Sequence, residues 1–138
     1  LRVLGVASDP WILQRYLLAT LDRDKIRPQD IKTVMSTVAS NPEGGSLLAW
    51  RHLKAHWLGL QGLFGNGTFT MGSLISATTS HFSTDYDYKE VDVFFRRIDV
   101  GSGSRSLDQS LETIKLNIHW VRRNELPLYD WLTKYLAS

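Results

Sequence analysis

Apolar residues recur along this chain at spacings of three and four, the period of helices with one buried face. Asp9 can cap a first helix with Pro10 in its opening turn, where a missing N–H costs nothing. That helix reaches about Leu21, with Leu13, Tyr16, Leu17 and Thr20 on one side. "LDRDKIRP" turns the chain into a second helix, Gln29 to Ala39, with Ile31, Val34, Met35 and Val38 inward, and "SNPEGG" breaks it. The spacing of Trp50, Leu53, Trp57 and Leu60 predicts a third helix over Ser46 to Leu63. "FGNGT" ends it, and a fourth runs from Thr70 to about His81. Thr84-Asp85-Tyr86-Asp87 fits a capping box, in which side chains satisfy the free N–H groups of a helix start. It opens a fifth helix carrying Val91, Phe94, Phe95 and Ile98, followed by a loop at "DVGSGSR". Ser106-Leu107-Asp108-Gln109 reads as a second capping box, and behind it Leu107, Leu111, Ile114, Ile118 and Val121 form the cleanest stripe in the chain. Asn124 can end that helix, and Pro127 then stands near the start of a last one reaching Tyr135.

No stretch alternates as a strand does, so the expected class is all-α. The helices fall into pairs, about 9–40, 44–81 and 84–123, each near the length of a HEAT or armadillo unit. Each pair has an amphipathic face that needs a neighbour, so the expected architecture is a HEAT/armadillo-like α-superhelix of stacked antiparallel pairs, one domain over 1–138. The opening "LRVLGVASDP" has no initiator Met, and Leu1, Val3 and Leu4 read as the last turn of a helix. The chain is expected to be a piece of a longer protein, its first pair packing on upstream residues.

Composition narrows the picture. Of 138 residues, 43% are hydrophobic and 22% charged, which is globular and fits neither disorder nor a membrane span. The long uncharged stretch that includes Leu58 to Ser80 is interrupted by glycines and hydroxyl residues. The net charge is +2, with cations and anions interspersed, so no basic stripe points to nucleic acid. No cysteine is present, which excludes disulfides and thiolate metal sites. Asn66-Gly67-Thr68 is an N-glycosylation sequon, and Asn66 is the candidate glycan site.

"RHLKAHW" sets His52 and His56 one turn apart, the spacing with which zinc peptidases hold their metal as H-E-x-x-H. The residue after the first histidine must then be a glutamate that acts as general base, and here it is Leu53. On a helical wheel the two histidines lie roughly 80 to 120 degrees from the centre of the stripe, at its edge. His81 and His119 are the remaining histidines. A boundary pair at a helix contact or facing solvent is therefore expected, with no metal ligand assigned. Asp85, Asp87, Glu90 and Asp92 read as a solvated face that complements the helix dipole. No Ser stands in a nucleophile elbow, and the Gly-rich segments follow no strand, so no catalytic residue and no cofactor site are assigned.

Three stretches and a fourth resemble one family. "LLATLDRDKIRPQD" and "NPEGGSLLAWRHLKAHWLGL", with Asn41, Pro42, Gly44, Ala49, Trp50 and Trp57, are similar to the C-terminal domain of the gluzincin zinc aminopeptidases. "HFSTDYDYKEVDVFF", with Phe82, Ser83, Thr84, Val91, Phe94 and Phe95, looks like that domain's Phe-Ser-Thr turn and following helix. "GSGSRSLDQSLETIKLNIHWVRRN" resembles its last long helix, at Arg105, Asn117 and Trp120. The Gly-Ser-Gly lead-in and the Phe-Ser-Thr turn point to the aminopeptidase N branch, while "IRPQD" also occurs in cytosolic relatives. The resemblance implies a non-catalytic helical bowl that docks on an upstream catalytic domain holding the zinc, encloses a peptide chamber, and moves between open and closed forms or carries a homodimer contact. It implies a place on the extracellular face of a membrane or in the secretory lumen, with the cytoplasm as alternative. No membrane contact by this segment is expected. The other reading is a free-standing HEAT-like module that binds a protein partner.

Overall fold

A computed structural model describes residues 2–64 and 71–138, and among these every regular element is helical. The candidate Asn66 and the expected helix start at Thr70 lie outside the described residues. In α1, Pro10–Leu18, the Asp9 carboxylate accepts the Trp11 N–H at 2.9 Å, as the cap requires. A 3-10 turn, Ala19–Leu21, completes the expected length. Leu13, Tyr16, Leu17 and Thr20 are all buried. α2 spans Ile31–Ala39 behind a 3-10 turn at Pro28–Asp30, so regular α geometry starts two residues later than Gln29. Ile31, Val34, Met35 and Val38 are fully enclosed.

The third helix is divided. α3, Gly45–Ala55, ends at His56 with φ −120° and ψ 22°, and α4 follows as Trp57–Phe64. The stripe keeps its register across the break, since Trp50, Leu53, Trp57 and Leu60 are all buried. Gly59 and Gly62 just beyond weaken the preference for continuing one straight helix. α5 is Met71–Thr79, ending short of His81. α6, Asp85–Phe95, begins with the expected capping box: Thr84 accepts from Asp87 N–H, and the Asp87 carboxylate accepts from Thr84 N–H.

α7 departs most from expectation. It runs Ser104–Ala137 without interruption, about 50 Å at 1.5 Å per residue. Ser106 is not a cap, because the helix starts two residues earlier, after a 3-10 turn at Gly101–Gly103. Ser106 is used instead at the α5 contact: a Cβ on Gly72 would lie 2.5 Å from its Oγ. Asn124 does not end the helix, since its amide donates to the Trp120 carbonyl at 2.8 Å and no described non-glycine residue has positive φ. Pro127 is thus inside the helix, where the segment is exposed and water can satisfy the carbonyl that loses its N–H partner. The opening residues form a 3-10 turn, Arg2–Val6, and not the last turn of an α-helix.

Packing follows the pairs. α1, α3 and α6 stand side by side, as do α2, α5 and α7, and the two rows face each other across the core. Two asparagines tie neighbouring segments in the same way. The Asn41 amide donates to the Gly5 and Ala7 carbonyls, four and two residues before the α1 cap. The Asn117 amide donates to the Ser80 and Phe82 carbonyls, four and two residues before the α6 cap. Asn41, just past the end of α2, lies beside the start of α1, and Asn117, well inside α7, lies beside the start of α6, so α1/α2 and α6/α7 run antiparallel. Asn117→Ala removes both donors and is expected to cost about 1–2 kcal/mol, read as a lower urea midpoint at unchanged slope.

Candidate functional site

His52 belongs to the buried face, and its proton can be placed. Thr20 Oγ1 lies 2.6 Å from the Leu17 carbonyl and 2.9 Å from His52 Nε2. A hydroxyl has one proton, and it goes to the carbonyl, so Nε2 carries the hydrogen that Thr20 accepts. His52 is 7% exposed, and its pKa is pushed down to about 4, first by burial and second by the neighbouring His56. It is neutral at physiological pH. The His56 ring is 4.8 Å away between centroids, at the half-buried end of α3.

His52 Nε2 donates into the fold, so the lone pair this ring could offer a metal is on Nδ1 alone. Leu53, in the position of a general base, is fully buried in the core. Among the described residues no group of three or more His, Cys, Asp or Glu side chains could hold a metal ion. The sequence placed this pair at the edge of the stripe; the structure puts His52 further in and leaves His56 at the rim. The overlooked signal was Thr20, a hydroxyl in an apolar stripe, which needs a buried partner.

The acidic residues of α6 are each engaged. Asp85 pairs with Arg122 of α7, Asp87 completes the cap, and Asp92 meets Arg96 at 2.8 Å. Glu90 accepts from Lys54 of α3, and that bond holds its carboxyl below the usual range against the opposing effect of burial. The Trp50 indole N–H adds to this electrostatically while standing outside full hydrogen-bond geometry. His81 Nε2 meets Ser40 Oγ at 3.2 Å, but the Ser40 proton is given to the Ser36 carbonyl at 2.8 Å, so this is an interhelical tie and no activated nucleophile. A shallow groove of about 760 Å³ crosses the α3–α6 face, with Lys54, Lys89 and Arg97 beside Tyr86 and Val93.

An exposed apolar surface lies on α7. Up to Ile118 its apolar stripe is turned onto α5 and α6. Beyond, the stripe continues through Leu128, Trp131, Leu132 and Tyr135, each between 42% and 67% exposed. Trp131 and Tyr135 stack on each other with centroids 5.5 Å apart. No helix among the described residues is long and apolar enough to cross a membrane.

The polar side chains described above serve caps and interhelical ties, and one long helix is left half exposed. Comparison with known proteins gives the kinship of the chain. The ERAP1-like C-terminal domain model matches residues 1–116, and the chain belongs to that family. It is 39% identical over 138 residues to aminopeptidase Ey of Gallus gallus, a match covering 98% of this chain. It is 38% identical over 133 residues to aminopeptidase N of Oryctolagus cuniculus, covering 94% of this chain. With endoplasmic reticulum aminopeptidase 2 of Bos taurus it shares 39% over 108 residues, or 78% of the chain. The chain spans 14%, 14% and 11% of these relatives' lengths.

Proposed function

We propose that the chain is the non-catalytic C-terminal domain of a zinc-dependent aminopeptidase, which removes N-terminal residues from peptides. The zinc and the reacting groups belong to an upstream catalytic domain of the same protein. This domain stacks as HEAT-like pairs, docks on that catalytic body and closes one side of the chamber that admits peptide. Its place is the extracellular face of a membrane or the secretory lumen, as the resemblance to the aminopeptidase N branch implies, and the open and closed forms differ by rigid movement of the stack. A contact between two copies through the same domain fits this reading.

The observation that carries the proposal is the uncovered stripe of α7. Leu128, Trp131, Leu132 and Tyr135 form a contiguous apolar face of the kind that marks a docking surface, on a helix already anchored by Ile114 and Ile118. Membership of the family and the likeness to aminopeptidases support a catalytic domain of the same protein as what it docks on. The histidine pair supports a structural role, since His52 spends its N–H on Thr20.

Trp131→Asp and Leu128→Asp in the whole protein test this. Each removes about 1.5–3 kcal/mol of apolar burial, on the order of tenfold or more in docking. The expected result is loss of peptide turnover together with looser attachment of the domain, seen as new proteolytic cleavage ahead of Leu1. His56→Gln is expected to leave turnover and zinc content unchanged. Unchanged turnover in both α7 variants, or zinc loss on changing His56, would contradict the assignment.

A further inference from the structure

We propose that the His52–Thr20 contact is an acid-released latch: it holds α4 and the 3-10 turn after α1 against α3, and acid opens this corner while the rest of the domain stays folded. The geometry of the contact makes it sensitive to a proton. Thr20 can only accept from His52, because its own hydrogen is committed to Leu17, so the neutral imidazole carries its proton on Nε2. A second proton must go to Nδ1, inside a site that is 7% exposed.

No carboxylate compensates that charge. Tyr16, one turn before Thr20, is a neutral phenol with its pKa raised by burial and by Asp30. Beyond Thr20, Asp22 is engaged by the Asp24 N–H and by Lys25, and Arg23 donates to the Leu63 carbonyl at 2.9 Å. On α3 itself, Lys54 is taken by Glu90 of α6, Arg51 is exposed, and the His56 ring stands 4.8 Å from that of His52 between centroids. α2 offers Lys32 alone, and α4 and α5 carry no titratable side chain. His56 is the charge whose field reaches His52, and it acts against protonation.

The corner is also the weakly held part. α4 has eight residues, joins α3 through the break at His56, and buries Trp57 and Leu60. Short elements with few buried anchors open below the global unfolding free energy. The sign follows from the two pKa values. In the open form His52 titrates near 6.5, and in the closed form near 4. The latch is at full strength above pH 6.5 and weakens as pH falls through the window between 6.5 and 4, because the open form takes up a proton there and the closed form does not. Between pH 7.5 and 5 the opening equilibrium is expected to rise about 30-fold.

The test is hydrogen exchange of the whole protein at pH 7.5 and 5, corrected for intrinsic exchange and resolved by peptide. The expected result is a rise near 30-fold over residues 52–64 and 19–24, with little change over 31–39. His52→Gln, whose amide can still donate to Thr20, is expected to abolish that rise. A pH-independent opening, an equal rise over 31–39, or a rise retained in H52Q overturns the proposal. If H52Q does not fold, hydrogen–deuterium exchange at the imidazole Cε1 position reads the His52 titration directly: a midpoint well below 6.5 supports the latch, and one at 6.5 or above refutes it.

Discussion

Trp50→Ala is expected to lower the unfolding free energy by about 3–5 kcal/mol, read from the midpoint of chemical denaturation. Trp50 is 1% exposed and touches three aromatic rings, two on α6 and one just ahead of it. Its ring meets Phe82 and Phe94 edge-on, at 6.0 and 5.5 Å between centroids, and Phe95 at a tilt, at 6.0 Å. Such pairs contribute beyond the area they bury, about 0.5–1.5 kcal/mol each in favourable geometry. The truncation therefore removes both a large apolar volume and the centre of an aromatic cluster. The Trp50 indole N–H makes no full hydrogen bond, so its removal orphans no polar partner and the loss is one of packing. Trp50→Phe keeps a ring in the site and is expected to lose less than half as much. A loss under about 1 kcal/mol for the alanine variant would place this ring outside the core.

The buried stripes were legible because they depend on spacing alone. Leu13, Tyr16, Leu17 and Thr20 share a face at any helix length, and so do Ile31, Val34, Met35 and Val38. The Thr84 cap was legible for a similar reason, since its bonds reach three residues. What the sequence concealed depends on distant neighbours. The turn at His56 leaves the 3-4-3 register intact, so nothing in the pattern announces it. Ser106 and Gln109 have the spacing of a cap, yet the α7 start is decided by the close approach of Gly72 to Gly103 and Ser106. The Asn41 and Asn117 ties reach back 34 to 37 residues, and neither asparagine shows locally that it will make them. At the candidate site, the pairing of His52 with His56 was visible and the controlling contact with Thr20, 32 residues away, was not. The family resemblance was legible because it rests on residue identities that need no folding argument.

Gly45→Ala is expected to cost about 3 kcal/mol, the upper part of the range for forcing an atom into a filled site. A Cβ at Gly45 would stand 1.9 Å from the Val38 carbonyl oxygen and 2.7 Å from Asn41 Cβ. The first of these is backbone at the end of α2, so no side-chain rotation relieves it. Gly45 opens α3 directly after Gly44, whose φ of 83° turns the chain between the two helices. The methyl group must therefore push α2 and α3 apart, or move the turn that carries Asn41. Moving that turn disturbs the amide that holds the Gly5 and Ala7 carbonyls ahead of α1. The damage is expected to reach α1 as well as α3, with faster exchange at the Asn41-held turn than the cost of one clash explains. Gly62→Ala, where an added Cβ meets nothing within 4 Å, is the matched control, expected to be neutral or stabilising by up to about 1 kcal/mol. Equal effects of the two substitutions on the denaturation midpoint would show that the α2–α3 approach is looser than these distances require.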